Sequence, residues 1–221
     1  MSQTSDADRP RDLLRSYGRR RGRPLRARKA VAFDEVLSGV RVELPPEGRS
    51  IAIEGETWME IGFGAGEHLA ALAEQNRHVS FIGCEPFING VAALCAEIRE
   101  RSLHNVRIFP DDARLLMARL KNASLARMYL LHPDPWPKAR HHKRRFIQTE
   151  TLDEIARLLV PGGTLHMATD HEALAEWLVE KTSAHEGFER VAGETTPMTT
   201  RYGKKGVSAG RPPVYLTYRK C

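Results

Sequence analysis

From residue 57 onward, apolar segments alternate between a strand-like period of two and a helix-like period near 3.6. That alternation restricts the fold more than any other feature of the chain. Strand-like stretches are TWMEIG (57–62), VSFIGC (79–84), NVRIF (105–109), RMYLLH (127–132), TLHMAT (164–169), FERVAG (188–193) and PVYLTY (213–218). Helical patterns lie between them over 67–75, 88–101, 113–121, 144–159 and 171–186, the fourth halted by the Pro-Gly-Gly that begins at Pro161. Strands separated by helices pair in parallel through crossovers, so the pattern predicts an α/β fold: a seven-stranded, mostly parallel sheet with helices on both faces. No helical pattern separates the last two strands, which predicts an antiparallel C-terminal pair joined by the Gly- and Lys-rich loop 203–211.

Charge divides the chain into two parts. Residues 9–29 hold ten Lys or Arg against the single acid Asp12, and residues 138–145, KARHHKRR, add five more with His141 and His142. A segment of that composition has too few apolar side chains to fold by itself. Residues 1–30 therefore read as a flexible basic arm and 31–221 as one folded domain. A solvated face explains one such block; two within a net charge of +6 point to a polyanionic partner, and phosphate-rich nucleic acid is the obvious one. No apolar run approaches the roughly 18 residues of a membrane span, and the polar start lacks the apolar core of a signal peptide. The expectation is a cytoplasmic protein, monomer or homodimer, with no membrane contact. Cys84, Cys95 and Cys221 have no spacing suited to zinc or a disulfide framework, so no metal is expected.

The glycine-rich stretch MEIGFGAGEHLA (59–70) follows a strand and opens a helix, so Gly62, Gly64 and Gly66 let the backbone turn against a ligand at the helix N-terminus. The flanking acids Glu60 and Glu67 would repel a pyrophosphate but suit a cationic ligand. S-adenosylmethionine, with a sulfonium, an ammonium and no phosphate, fits. Glu85 ends the second strand 25 positions after Glu60, where a carboxylate can accept from both ribose hydroxyls. Asp112 ends the third, placed either to accept from an adenine amino group or simply to cap the next helix. Acids at the ends of three successive strands lie on the edge where open α/β sheets bind ligands. After the fourth strand, HPDPWP (132–137) holds Asp134 between prolines that restrict the backbone to a stiff loop. Asp170, after the fifth, suits either ligand recognition or the N-cap of the following helix, and Trp136 either stacking on a base or packing under the loop.

The stretches EIGFGAGEHL, GCEPFING, LLHPDPWPKARHHKRRF, ATDHEALAEW and TTRYGKKG followed by RPPVYLTY resemble the bacterial tRNA (guanine-N7)-methyltransferase family, in the family's order and over most of residues 17–219. The resemblance implies a class I, Rossmann-like methyltransferase that uses S-adenosylmethionine and acts on a guanine in the tRNA variable loop. It also implies that Glu60, Glu85, Asp112 and Asp134 bind or adjoin the cofactor and that Asp134 is catalytic. Lys138, Asp170 and the stretch Thr200, Arg201, Tyr202 and Gly203 would contact the substrate. Arg140, His141, His142, Lys143, Arg144 and Arg145 would contact the RNA. The chain departs from the family at Gly203, where an acid is usual. Two rival readings stand beside this one. The first is a methyltransferase for another base nitrogen, since Asp-Pro-Pro-aromatic motifs methylate amines; the second is an RNA-binding protein with a vestigial pocket.

Overall fold

The computed structural model describes residues 18–191 and 212–221. Seven strands form one sheet: β1 (Thr57–Ile61), β2 (Ser80–Cys84), β3 (Val106–Phe109), β4 (Leu125–Leu131), β5 (Leu159–Thr169), β6 (Phe188–Arg190) and β7 (Val214–Lys220). The spatial order is β3-β2-β1-β4-β5-β7-β6, with β7 antiparallel to both neighbours and every pair from β3 to β5 parallel. Five residues of β1 are all buried, as a central parallel strand covered on both faces requires. Helices α1 (Ala27–Val40), α2 (Glu67–Gln75) and α3 (Ile88–Arg101) bury Leu37, Leu69 and Leu94 on one face. Helices α4 (Ala113–Met117), α5 (Thr149–Leu158) and α6 (Glu172–Ser183) bury Leu116, Ile155 and Leu178 on the other.

The seven strands and five of the helices match the alternation read from the sequence, and the differences have tertiary causes. Helix α1 was not anticipated, and the boundary set at residue 30 falls inside it. Its first turn sits within the basic run, but Ala32 and Leu37 pack toward α3, Arg28 pairs with Glu100, and Glu35 meets Arg99 at 2.9 Å. Helix α4 stops four residues earlier than its periodicity predicts, because the Arg157 guanidinium donates to Met117 O (2.8 Å) and Leu120 O (2.9 Å), taking carbonyls that a longer helix would use. The segment 145–148 is not helical. Ala139–Arg144 forms a 3-10 helix, and α5 starts afresh behind a capping box in which the Gln148 N–H donates to Thr151 Oγ1 at 2.9 Å. The Pro-Gly-Gly after that helix lies inside β5, where pairing with β4 jumps from Leu125↔Leu159 to Arg127↔Thr164. No helix among the described residues is long and apolar enough to cross a membrane.

Candidate active site

Strand order reverses between β1 and β4, and the loops after those two strands diverge there to leave a crevice at the carboxyl edge of the sheet. A cleft of about 1220 Å³ occupies it, lined by the glycine loop, the ends of β2, β3 and β4, the start of α6 and, at its outer lip, Gly18 and Arg19.

One wall is the glycine loop. Gly62, Gly64 and Gly66 all take left-handed φ (69°, 59° and 78°), a region that costs any other residue steric strain. Gly66 is the N-cap of α2 and packs on Leu94 beneath the cleft, so of the three only Gly62 and Gly64 line it. Helix α3 presses on the same loop: a Cβ at Gly90 would stand 2.1 Å from Gly64 O. That glycine had only its place in GCEPFING to mark it.

Glu85 is anchored by the backbone. Its Oε2 accepts from Gly64 N–H at 2.8 Å and its Oε1 from Phe87 N–H at 2.9 Å, so each oxygen keeps one lone pair for a ligand. Burial raises its carboxyl above the usual range, the two amide donors oppose that, and the charges of Asp134 and Glu60 add to it. Asp134 and Glu85 line the same cleft. Asp112 is both an N-cap, accepting from Arg114 N–H at 3.1 Å, and a cleft residue; Arg114 Nε also holds it at 2.9 Å.

The Pro-Asp-Pro loop forms the opposite wall. Asp134 is exposed into the cleft, and the loop is bracketed by two left-handed residues, His132 (φ 50°) and Trp136 (φ 43°). His132 is buried beside Asp170, Nδ1 to Oδ1 3.9 Å, and burial keeps its imidazole below the ordinary histidine range despite that acid. Asp170 lines the cleft and does not cap α6; the N-cap is His171, whose N–H donates to Thr169 Oγ1 at 3.2 Å. Trp136 also lines the cleft, edge-on to His141 (5.8 Å between centroids), with the Arg144 guanidinium 4.9 Å above its ring. Phe87, Glu172 and Glu176 also line the cleft. Sequence reading did not single them out, because as an ordinary apolar residue and helix-surface acids they carry no local signal.

Other expected residues fall partly or wholly outside the cleft. Glu60 points to the α2 face of the sheet, 5 % exposed, with its Oε2 2.8 Å from His68 Nδ1, and does not line the cleft. On a strand whose next residue, Ile61, reaches the cleft, the pleat turns Glu60 away from Met59 and Ile61 and onto the side of Trp58. In the basic segment, Lys138, Arg140 and Lys143 are exposed beside the cleft mouth and Arg144 lines it, whereas Arg145 turns inward and is 3 % exposed. His142 packs edge-on against Trp177 at 5.4 Å. Slight desolvation and then the cations Arg144, Arg140, Lys138 and Lys143 push His141 below the ordinary histidine range. Thr200, Arg201, Tyr202 and Gly203 lie outside the described residues. Among the described residues no group of three or more His, Cys, Asp or Glu is arranged to hold a metal ion.

Residues 54–215 match the family model Methyltransf_4, described as "Putative methyltransferase". The crystal structure of an rRNA methylase from Streptococcus thermophilus superposes with a TM-score of 0.53 at 14% identity, covering 89% of this chain and 98% of that one. The 16S rRNA methyltransferase KamB gives 0.55 at 15% identity over 75% and 88%. Fold and cleft thus define a methyltransferase with a Rossmann-like sheet. The chain is 41% identical to the tRNA (guanine-N(7)-)-methyltransferase of Paramagnetospirillum magneticum, covering 97% of this chain and 94% of that protein. It is 37% identical to the protein of the same name from Bradyrhizobium diazoefficiens, over 98% of each. The chain belongs to the tRNA (guanine-N(7)-)-methyltransferase family.

Proposed function

We propose that the protein transfers the methyl group of S-adenosylmethionine to N7 of a guanine in the variable loop of tRNA. The observation that carries the reading is the convergence of Glu85, Asp112 and Asp134 on one cleft with a cationic helix at its mouth. Glu85 fits a ribose, since each carboxylate oxygen has a lone pair left after its backbone donor is served. Carboxylates rather than lysines face the glycine loop, which suits a cationic ligand better than a pyrophosphate. When bound, S-adenosylmethionine supplies an electrophilic methyl on a sulfonium.

Guanine N7 carries no proton, so the protein has to align and stabilise rather than deprotonate. Asp134, on a loop stiffened by Pro133 and Pro135, accepts from guanine N1–H and the exocyclic amine and offsets the positive charge that grows on the purine. Asp170, on the neighbouring strand end, shares that recognition. N7 lies on an edge that folded RNA buries in a deep, narrow groove, so the base is exposed or flipped to reach the cleft. Trp136, at the lining, offers a face for stacking. Lys138, Arg140, Lys143 and Arg144, with the basic residues of the arm, meet the phosphates, and His141 offers its ring nitrogens for hydrogen bonds.

The test is incubation of the protein with radiolabelled cofactor and total tRNA, followed by nucleoside mass spectrometry, for wild type and Asp134→Asn. The reading expects 7-methylguanosine in the variable loop from wild type, and from the variant cofactor and tRNA binding with turnover slowed about 100-fold or more. Raising the pH should not restore that rate, because no proton is abstracted. An N6- or N4-methylated product points to the rival amine reading, and no methylated product with intact tRNA binding points to a non-catalytic RNA-binding protein. Near-wild-type turnover in Asp134→Asn returns Asp134 to an ordinary turn residue.

A further inference from the structure

Arg145 sits at the end of the basic run yet is 3 % exposed, and its guanidinium has no carboxylate partner among the described residues. Its Nε donates to the carbonyl of Pro135 at 3.0 Å, its Cζ lies 4.9 Å from the ring centroid of Trp177, and its buried Nη2 has no hydrogen-bond partner among the described residues. Burying an uncompensated guanidinium costs on the order of several kcal/mol, and a phosphate in solvent cannot reach it to offset that. What it does reach is the loop that carries Asp134.

That loop needs a restraint. The residue after Pro135, Trp136, is held at φ 43°, a region that costs a bulky side chain roughly 1–3 kcal/mol and persists only where its surroundings impose it. The restraint on Arg145 is in turn rigid. Trp177 on α6 donates its Nε1–H to Ile147 O at 2.9 Å, and Gln148 at the start of α5 donates to Arg145 O at 3.1 Å and His142 O at 2.8 Å. An indole platform and a helix cap therefore fix Arg145, and Arg145 fixes Pro135.

Resting on the reading of Asp134 given above, we propose that Arg145 is a positioning residue for that reaction: it clamps the Pro-Asp-Pro loop through Pro135 O, on the platform of Trp177, instead of contacting RNA. A misplacement of about 1 Å in a reacting group can cost about 100-fold in rate. Arg145→Lys keeps the charge but loses the planar fork that donates and stacks in one geometry.

The experiment is single-turnover methyl transfer at saturating cofactor and tRNA, with tRNA affinity measured across a salt series and cofactor affinity by calorimetry. Wild type and Asp134→Asn are run as controls. Arg145→Lys should lower the single-turnover rate 10- to 100-fold while both affinities stay within about twofold and the salt slope is unchanged. Trp177→Leu removes the platform from α6 without substituting any residue of the loop or the basic run, although His142 also packs on that ring, and should produce the same split. Either variant transferring methyl at the wild-type rate overturns the clamp. So does a salt slope reduced by about 0.7–0.9 with the rate recovered at saturating tRNA, which is the behaviour of a phosphate contact. If wild type itself transfers no methyl to guanine, the underlying reading fails and takes this inference with it. An active wild type and an inactive Asp134→Asn leave that reading standing whatever Arg145→Lys does.

Discussion

Glutamine is the closest neutral substitute for glutamate, yet at position 85 it should be a severe change. Both carboxylate oxygens of Glu85 accept from the backbone, Oε2 from Gly64 and Oε1 from Phe87. A glutamine has one oxygen and one NH2, so whichever way it turns it faces one of those N–H donors with another donor. Leaving a part-buried donor of that kind unpaired costs at most about 1–3 kcal/mol. At about 2–4 °C per kcal/mol for a chain of this size, Glu85→Gln should melt about 2–12 °C below wild type. The lost charge acts separately on ligand affinity: a hydrogen bond to an ionised acceptor is worth about 1.5–3 kcal/mol, or about 10- to 150-fold in affinity. Calorimetry of the isolated protein with S-adenosylmethionine, without RNA, reads the second effect, and differential scanning calorimetry reads the first. A variant with wild-type affinity refutes the assignment of Glu85 to the ribose. One with wild-type melting but weak binding refutes the account of the two backbone donors.

Three further outcomes follow from other parts of the fold. Asn89 staples the basic segment to α3, accepting from Gly22 N–H at 2.9 Å and donating to Arg23 O at 2.7 Å, while a Cβ at Gly22 would meet Phe87 Cζ at 2.8 Å. Either Asn89→Ala or Gly22→Val should therefore release Gly18 and Arg19 from the cleft lip and speed cofactor dissociation several-fold in stopped flow; an unchanged off-rate makes the segment a bystander. His166 is stacked on Tyr129 (5.0 Å), bonded to Thr164 Oγ1 (2.8 Å) and Thr217 Oγ1 (3.2 Å), and held down to about 4 by burial first, then by the charges of Arg127 and His68. Its contribution is fully present above pH 6.5 and is lost as pH falls toward 4, about 3 kcal/mol in all. Urea titrations of His166→Gln across that window should show a shallower acid limb, and an identical limb assigns the acid sensitivity to other groups. Arg157→Ala strips the Leu120 carbonyl of its donor, leaves Met117 O with the Leu120 N–H alone, and should cost about 2 kcal/mol by urea denaturation; a loss under about 0.5 kcal/mol leaves the early end of α4 unexplained.

Much of this architecture was legible in the order of the residues, because burial imposes a period and glycine or proline punctuates it locally. The seven strands, the turn built on Gly62, Gly64 and Gly66, the acids at successive strand ends and the stiff setting of Asp134 all follow from neighbours a few positions apart. What lay beyond the sequence depends on partners far along the chain. Helix α1 is stabilised by α3 and not by its own composition, α4 is cut short by an arginine on α5, and Asp170 leaves the cap of α6 to His171. Glu60 and Glu85 look alike as strand-end acids, yet one turns to His68 beneath the loop and the other opens onto the cleft. Arg144 and Arg145 are adjacent and identical in type; one lines the cleft over Trp136 and the other is buried on Trp177. A local pattern records that a side chain is apolar, charged or flexible. Which wall it faces is decided by the strand order and by the helix that packs behind it, and both are set by contacts between residues the sequence keeps far apart.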